Sequence, residues 1–595
     1  MAAFRYIGKE TADPRFHDGG LRPVIGAHNI QAMRANRAHP EESDGLGHTY
    51  NHAPMLCRWH GKLRIMYLTS PVHEHGGFAR VMETESEDGC EWSFPRVLFP
   101  EIPVPAGVYQ GPGAERLPAN AKTVAHHRMG FYRAPNDVLV ASTFYGVSPD
   151  PHIAPNNGWG MGRVVRRIID DGGLGEIYVL RVNRPAGWEA CHFPWRLYTA
   201  CEDPTFVDAC EALLKDWLAT AAWWEEERLD ENFFPLKGIK APSFCPLPDG
   251  KTAVIGKMGW MAVSEDRGKN WSKPEQMEGI YTASGKCAMM ATGDGKRAIV
   301  YHPSPDGQHR WPLAIVTSEN GYAYDQPGCV CGEVPPMRYG GLMKSWGPQY
   351  VRAIMPGNDD APDGATWLAY SMNKEDLWAV RLPATIETWE RQPVRDQFDE
   401  RDGPLPERWY TYSPQWSPIR VEGRALTLRT GDPCDYGKAV RAFPEGEQAR
   451  AELWLVAEKP ENGELQIEVE DGRGMAALKL ILGRDGMIRL RGGNGEVAVC
   501  GFHSGEELCI RLWADCRGQR VQAAVNGSET AAQPLMYPCR SVERITLRTG
   551  GRRLGPTVED NLKNVCLPDL KNADVREKEA IYRLISLDVY KEESP

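Results

Sequence analysis

Long hydrophobic runs are missing from this chain of 595 residues. A membrane-spanning helix needs about 18 or more consecutive apolar residues, and no such stretch occurs. The first twenty residues also lack the apolar segment of a secretory signal. An excess of positive charge is missing as well, since the formal net charge is −11. We therefore expect neither a membrane nor a nucleic acid as a partner.

Cysteine patterns typical of disulfide frameworks or zinc sites are missing too. The 15 cysteines are odd in number and scattered; Cys329 and Cys331 are the only close pair, and no CxxC occurs. This favours reduced thiols and a cytoplasmic location. The sequence requires no cofactor. Calcium held by backbone carbonyls would leave no signature, so a bound calcium stays open, as do metal dependence and oligomeric state.

Turn residues and short apolar segments dominate what is present. The chain has 60 Gly and 46 Pro, and the first two thirds read as short strands between Gly, Pro, Asn and Asp turns. Examples are residues 62–71, 137–146, 251–264 and 296–303. Many short strands with regular turn signals predict a propeller, a sandwich or a barrel, and the length predicts two or more domains.

A repeated turn motif favours the propeller. The segment from Ser264 to Trp271 has the pattern S-x-D-x-G-x-x-W, the segment from Ser86 to Trp92 is one residue shorter, and a third copy begins at Ser318. In such a turn the Asp or Asn accepts backbone N–H groups, and the Gly takes a conformation that other residues avoid. We expect the three turns to lie on outer strands of different blades, away from any pocket.

One segment has helical rather than strand periodicity. Between Asp203 and Leu229 apolar residues recur at i, i+3, i+4 and i+7, and Asp203 with Pro204 makes an N-cap and N1 pair. We predict a helical insertion at about 200–230 between two blades. A packing role is favoured over a role as pocket wall, in which Trp223 and Trp224 would take part.

The predicted architecture is all-β. Residues 1–390 are assigned to a six- or seven-bladed β-propeller, with seven favoured at roughly 50 residues per blade. From about residue 396 the strands alternate between apolar and polar residues, which predicts a concanavalin-like, jelly-roll β-sandwich over 396–567. Residues 568–595 form a polar tail.

Several segments are rich in His, Arg, Tyr and Asn, and their sequences resemble those of a known family. The runs TYNHAP, EHGG, HHRMGFY, GRVVR, GPQYVR and YSMNKEDLW are similar to those of sialidase-like propellers with BNR or Asp-box repeats. The similarity covers most of residues 25–385. More distantly the chain resembles propeller enzymes that release L-rhamnose from glucuronic acid, some of them hydrolases and some lyases. In that group a first-blade histidine is implicated in catalysis, and its match is His52.

The resemblance also implies which features a true sialidase would need. Such enzymes bind the substrate carboxylate with three arginines, for which Arg163, Arg166 and Arg352 are candidates, and they use a Tyr–Glu nucleophile pair. No such pair is evident from the sequence. Sialidase activity in the strict sense is therefore not the expected function.

The residue types favour chemistry on an acidic sugar. Arginine can neutralise a uronate carboxylate and stabilise an enolate-like intermediate, while His or Tyr transfers protons. We predict an enzyme that cleaves a terminal bond in an oligosaccharide containing a uronic acid, such as a rhamnosyl-glucuronate. A β-eliminating lyase is favoured over a glycoside hydrolase with His or Glu as acid and base, and a non-catalytic carbohydrate-binding propeller is the third alternative. The predicted catalytic residues are His52, His75, His127, Tyr145 and Arg166, and the predicted substrate-binding residues are Glu74, Arg163, His302, Lys344, Tyr350, Arg352 and Asn373.

Overall fold

The computed structural model describes residues 4–75, 77–126, 128–230, 236, 238–282, 284–304, 306–359, 364–399, 403–550, 555–561 and 566–590. Within these ranges the regular secondary structure consists mainly of β-strands. The described part of the chain contains no helix with the length and apolar character needed to cross a membrane.

Residues 28–382 form a ring of four- and five-stranded sheets, the blades. Two strands precede the first blade, β1 (Arg5–Tyr6) and β2 (His28–Met33). Blade 1 contains β3 (Tyr50–Trp59), β4 (Lys62–Ser70), β5 (Arg80–Ser86) and β6 (Arg96–Phe99), and blade 2 contains β7 (Val124–Ala125), β8 (Gly130–Arg133), β9 (Leu139–Gly146), β10 (Gly162–Ile168) and β11 (Leu174–Val182). Blade 3 contains β12 (Ser243–Pro246), β13 (Thr252–Ile255), β14 (Trp260–Ser264) and β15 (Glu275–Gln276), and blade 4 contains β16 (Ala288–Ala291), β17 (Arg297–Tyr301), β18 (Leu313–Ser318) and β19 (Ala323–Cys331). Blade 5 contains β20 (Pro348–Ala353), β21 (Thr366–Met372) and β22 (Asp376–Leu382).

The N-terminal segment closes the ring. Strand β2 pairs with β22 in the antiparallel sense and supplies the outer strand of blade 5, while β1 pairs with β19 of blade 4. The described strands thus make five blades, not the six or seven predicted from length. Long connections explain the difference, because the described residues of 100–123 and 183–242 contribute no blade strand of their own.

The predicted helical insertion is present between blades 2 and 3. Helix α1 (Pro204–Lys215) is capped by Asp203, whose side chain accepts from the Thr205 amide. A second cap at Asp216 ends α1 and starts the short helix α2 (Trp217–Thr220). Apolar residues of the insertion pack on Tyr132 and Tyr178 of blade 2, and others pack on Phe244 of blade 3. The insertion thus fills the space between these two blades.

The three repeated turns lie between the third and fourth strands of blades 1, 3 and 4. In each turn the serine hydroxyl accepts a hydrogen bond from the backbone amide of the glycine, which is Gly89, Gly268 or Gly321. All three glycines have positive φ. A Cβ on Gly89 would stand 2.0 Å from the Trp367 ring of blade 5, so this turn allows two blades to approach closely.

The C-terminal region folds into two antiparallel sheets around one core. Leu453 and Leu508 of one sheet share that core with Ile467 and Leu480 of the other, which makes a β-sandwich; its concanavalin-like kind stays a prediction. The strands are β23 (Val394–Gln397), β24 (Trp409–Ser413), β25 (Ile419–Glu422), β26 (Ala425–Thr430), β27 (Lys438–Gly446), β28 (Gln448–Ala457), β29 (Leu465–Glu470), β30 (Ala476–Leu482), β31 (Met487–Gly492), β32 (Gly495–Gly501), β33 (Glu506–Asp515), β34 (Arg520–Val525), β35 (Ser528–Glu529), β36 (Gln533–Pro534), β37 (Val542–Thr549) and β38 (Ala580–Tyr590).

Two features join the sandwich to the propeller and to its own C-terminus. Strand β24 pairs in parallel with β2 of blade 5, so one sheet of eleven strands runs through both parts. Strand β38 lies between β26 and β28 in the other sheet. The segment 568–595, predicted as a separate tail, therefore carries a central strand of the sandwich, because its alternating apolar residues from Ala580 onward fit that sheet.

Candidate functional site

A pocket of about 210 Å³ opens where the five blades meet. The insertion and every blade contribute to it, as expected for a site at the centre of a propeller. The lining residues are Glu74, His75, His126, Arg128, Ala154, Asn156, Glu225, Lys240, Ala241, Lys257, Lys286 and Tyr350.

Tyr350 stands at the centre of this site in an unusual backbone conformation. Its φ is +54°, a value that bulky residues adopt rarely and that clusters at functional sites. The ammonium group of Lys286 lies 3.1 Å from the centre of its ring, and the ring of His52 meets it edge-on at 3.9 Å between centroids. Burial raises the pKa of Tyr350, and the nearby carboxylate of Glu74 raises it further.

Glu74 and His75 form one wall of the pocket. They lie in the connection between β4 and β5 of blade 1, and the carboxylate of Glu74 accepts from the Lys374 ammonium at 3.0 Å. The His75 ring is 3.9 Å from the same carboxylate. Burial lowers the pKa of His75, although the charge of Glu74 opposes that shift. Tyr50 lies near Glu74 as well. Burial, and after it the charge of Glu74, holds the pKa of Tyr50 well above the usual range.

Four buried cations from three blades lie around Tyr350. Arg128, Arg310, Arg352 and Lys286 come from blades 2, 4, 5 and 4, and each is at most 7% exposed. Within the described part of the chain, one donor atom of each has no hydrogen-bond partner: Nη1 of Arg128, Nη1 of Arg310, Nε of Arg352 and Nζ of Lys286. Unpaired buried donors are costly. An anion in this space would relieve that cost.

The pKa values of these cations reflect burial and mutual repulsion. Burial, together with Arg128, lowers the pKa of Arg352 to about 10. Burial and the charge of Arg352 lower the pKa of Lys286 well below its usual range. Lys257, on the blade 3 side, has a pKa lowered to about 8 by burial and then by Arg310 and Lys374. The site is therefore short of negative charge.

The tail of the insertion supplies one of the two carboxylates that line the pocket. Glu225 accepts from Arg128 Nε at 2.9 Å, and a second bond joins it to Arg128 Nη2. The Ala241 amide donates to Glu225 at 2.7 Å. Burial alone would raise the pKa of Glu225, but the charge of Arg128 lowers it to about 2. The insertion is thus a wall of the pocket as well as a packing element.

Part of the predicted set converges on this pocket. Glu74, His75 and Tyr350 line it, Arg352 shapes its charge, and His52 contacts Tyr350 while its Nδ1 bonds the Ser371 hydroxyl at 2.8 Å. His302 is buried in blade 4, where burial and then Arg310 lower its pKa to about 3.

Two predicted catalytic residues lie in packing layers instead. Tyr145 belongs to the core shared by blades 1 and 2 and donates to the Pro100 carbonyl. Arg166 is in the third strand of blade 2, where its guanidinium donates to the carbonyls of Leu98 and Gly175. Neither side chain is among the residues that line the pocket. His127 lies outside the described residues.

Three predicted binding residues have structural partners. Arg163 is fully buried between Glu226 and Glu227 of the insertion. Lys344 donates to Glu375 at 3.0 Å and to the Thr49 carbonyl at 2.9 Å. Asn373 accepts from the Gly347 amide at 2.8 Å. They support the site without lining it.

Sequence reasoning missed Arg128, Glu225, Lys240, Lys257, Lys286 and Arg310. Arg128 lies in HHRMGFY, one of the segments rich in His, Arg, Tyr and Asn, so the sequence did indicate that region. Glu225, Lys240, Lys257 and Lys286 lie in segments with no such signal. Their position depends on how the insertion and blades 3 and 4 fold back on the centre.

The site offers no metal-binding cluster in the part of the chain that the structure describes. None of the fifteen cysteines, all within the described ranges, forms a disulfide. What the arrangement provides is a cationic pocket with a buried tyrosine beside a glutamate and a histidine. Such a pocket can hold a carboxylate and place a nucleophile and a proton-transfer group next to it.

Comparisons with known proteins agree with the fold described above. Residues 2–239 match the family model described as "Beta-prop_BT_1020-like, N-terminal beta propeller", and residues 409–564 match "Sialidase-like, CBM domain". The comparison with curated proteins found no match.

Among solved structures, one described as a sialidase matches with a TM-score of 0.95 and 35% identity, over 99% of this chain and 54% of that chain. This chain thus spans about half the length of that relative. A Trypanosoma rangeli sialidase in complex with sialic acid matches at a TM-score of 0.35 and 10% identity, over 99% of this chain and 97% of that chain, too weakly to carry an argument. The protein is a sialidase-like β-propeller with a sialidase-like C-terminal domain, which confirms the resemblance predicted from its motifs.

Proposed function

We propose that this protein is an exo-acting glycoside hydrolase that removes a terminal sugar bearing a carboxylate. The observation that carries the proposal is the set of buried cations around Tyr350, namely Arg128, Arg310, Arg352 and Lys286, each with an unpaired donor among the described residues. A sugar carboxylate would accept from these donors, and arginine suits such contacts because its planar fork matches a carboxylate. The name of the 35% identical relative, a sialidase, points in the same direction.

The reacting group in this proposal is the Tyr350 hydroxyl. Glu74 takes the phenolic proton as the Tyr350 oxygen attacks the anomeric carbon, and His75 gives its proton to the leaving oxygen. Water then displaces Tyr350 from the anomeric carbon, giving one proton to His75, while Glu74 returns a proton to the phenolate. The cations stabilise negative charge at the bound carboxylate throughout. Since burial lowers the pKa of His75, turnover is expected to be higher below neutral pH.

The β-eliminating lyase favoured by the sequence remains a second candidate because of Lys286. This lysine is fully buried, and its pKa lies well below the usual range through burial and the charge of Arg352. A neutral lysine beside a bound uronate could remove its C5 proton, with the cations stabilising the enolate-like intermediate.

The test is incubation of the protein with oligosaccharides that end in different acidic sugars, beside matched oligosaccharides that end in neutral sugars. We expect cleavage of an acidic terminus only, with one water added to the product mass. A product lacking that water, with new ultraviolet absorbance, would favour elimination. Arg310→Gln should raise KM by about thirtyfold or more. Equal cleavage of neutral termini, or no cleavage and no binding of any acidic sugar, would contradict the proposal.

A further inference from the structure

The connection between blades 4 and 5, residues 332–347, joins the C-terminal region to the pocket; it is called the bridge loop. On one side it meets residues 566–574, here named the clamp segment, which precede β38. The Gly340 amide donates to Asp569 at 2.9 Å, the Tyr339 hydroxyl donates to Asp574 at 2.5 Å, and the Leu570 amide donates to the Arg338 carbonyl at 2.8 Å. The loop is thus fixed to the clamp segment at three consecutive residues.

The approach between the two segments is too close for any side chain at Gly340. A Cβ there would stand 1.9 Å from the Leu567 carbonyl oxygen. Backbone cannot move aside as a flexible side chain can, so any larger residue at 340 must push the two segments apart.

On its other side the bridge loop holds the wall of the pocket. The Leu342 amide donates to His73 Nδ1 at 2.9 Å, and the Met343 carbonyl accepts from the Lys374 ammonium. The same ammonium group holds Glu74 at 3.0 Å. His73 and Lys374 are therefore the links through which the loop reaches Glu74 and His75.

A buried carboxylate fixes the loop between its two contacts. Glu375 accepts from the amides of Arg338 and Tyr339, at 3.0 and 2.8 Å, and from the Lys344 ammonium at 3.0 Å. The Lys344 side chain is 1% exposed and that of Glu375 is 2% exposed. Such an arrangement has little freedom to adjust, so a shift at the clamp segment would be transmitted to the pocket wall.

We propose that Asp569 and Asp574 of the C-terminal region are positioning residues, which place Glu74 and His75 through the bridge loop. This inference rests on the proposed function, in which Glu74 and His75 transfer protons. The buried arginines belong to other elements, since Arg128 precedes β8, Arg310 precedes β18 and Arg352 lies on β20. The Arg310 amide does donate to the Trp346 carbonyl at 3.2 Å, but Trp346 lies at the far end of the loop from the residues that contact the clamp segment. Loss of the clamp contact should therefore affect proton transfer and leave carboxylate binding nearly intact.

The test combines kinetics with amide hydrogen exchange of the full chain. In Asp574→Ala we expect kcat to fall about tenfold, as small misplacements of reacting groups cost that much or more, while KM changes less than about twofold. Amide exchange should accelerate in peptides covering 336–346 and 71–75. Asp574→Asn keeps an oxygen that accepts from Tyr339 and should restore kcat. Gly340→Ala should reproduce the effects of Asp574→Ala.

Glu577→Gln is the matched control, because Glu577 is exposed and lies three residues from Asp574. It should leave both kinetics and exchange unchanged. Faster exchange confined to 566–574, an unchanged kcat, or equal changes in kcat and KM in Asp574→Ala would overturn the inference. A parent protein without turnover on acidic glycosides would refute the proposed function. Because amide exchange is measured without substrate, it would still decide in that case whether the clamp segment is coupled to the pocket wall.

Discussion

Tyr350 combines properties that seldom occur in one residue: a positive φ, nearly complete burial and an ammonium group over its ring. Strained residues persist only when their surroundings hold them in place. Here His52 and Lys286 provide those surroundings, since both contact the ring. Tyr350 lines the pocket, and burial together with the Glu74 carboxylate raises the pKa of its hydroxyl.

Tyr350→Phe should separate binding from chemistry. The substitution keeps the ring, and with it the contacts of Lys286 and His52, but removes the proposed nucleophile. We expect kcat to fall by at least about a hundredfold, with KM little changed. Tyr145→Phe is the matched control, because that hydroxyl donates to the Pro100 carbonyl within a packing layer. A Tyr350→Phe variant with normal kcat would remove Tyr350 from the mechanism.

Lys257 should make anion binding depend on pH. Its pKa is about 8 in the free protein, because burial and nearby cations disfavour the charged form. A bound carboxylate raises that pKa, so affinity is greatest below about pH 8 and declines as pH rises above it. Calorimetric titration with an acidic monosaccharide from about pH 6 to about pH 10 would measure this.

In Lys257→Met the decline above about pH 8 should disappear. Lys269→Met, on the exposed surface of the same blade, should keep it. An identical pH profile in the parent protein and in Lys257→Met would exclude Lys257 as the group responsible.

Residue types alone could identify the chemistry of the site but not all of its members. Of the residues predicted for the site, Glu74, His75 and Tyr350 line the pocket, and their catalytic or binding roles stay predictions. Arg163 looked equally suitable, yet its partners Glu226 and Glu227 come from an insertion whose folded path the sequence does not specify. A buried arginine can serve either role, and only its partners decide which.

At the scale of elements, capping signals were the most informative part of the sequence. Asp203 and Pro204 start α1 as predicted. The predicted helical run to Leu229 was too long, because Asp216 is a second N-cap that interrupts it. The described strands form five blades rather than the predicted six or seven for a related reason: chain length divided by a typical blade size cannot account for long connections and an insertion.

Glu225→Gln should destabilise the insertion and the pocket together. The substitution leaves Arg128 buried without its carboxylate, which costs about 3–5 kcal/mol of unfolding free energy. The pKa of Glu225 is lowered from 4.5 to about 2. The ionised carboxylate therefore contributes its full share of the unfolding free energy above pH 4.5, and this contribution is lost as pH falls towards 2. Urea denaturation at several pH values would measure both effects.

Asp208→Asn, on the exposed side of α1, is the control for Glu225→Gln and should not change stability measurably. A Glu225→Gln protein as stable as the parent would mean that the Arg128 ion pair contributes no net stability. The pH dependence between 4.5 and 2 should also be weaker in Glu225→Gln.

At the scale of the whole molecule, backbone hydrogen bonds between strands continue from the propeller into the sandwich. The sequence predicted a change of character near residue 396, and the strands do change partners there. It could not predict that β24 adds to β2 or that β38 returns to the middle of the sandwich. Pairings between distant segments depend on register and packing, which local patterns do not encode.

This continuity predicts that the two parts unfold as one unit. Besides the shared sheet, Arg34 near the end of β2 pairs with Asp432 of the sandwich at 2.8 Å, and both side chains are 1% exposed. Arg34 also lies 3.6 Å from the ring centre of Trp416. Separating the parts would expose an unpaired strand edge and two buried charges. Scanning calorimetry should therefore give a single transition despite the two folds.

Arg34→Met tests whether that interface sets the common stability. Loss of the guanidinium leaves Asp432 buried without its main partner, so the unfolding free energy should fall by about 3–5 kcal/mol. The single transition should move to lower temperature as a whole, because neither part keeps its partner when the other unfolds. Arg517→Met, at an exposed position of the sandwich, should leave the transition in place. Two separate transitions in the parent protein, or a shift confined to one of them in Arg34→Met, would mean that the shared sheet does not couple the propeller to the sandwich.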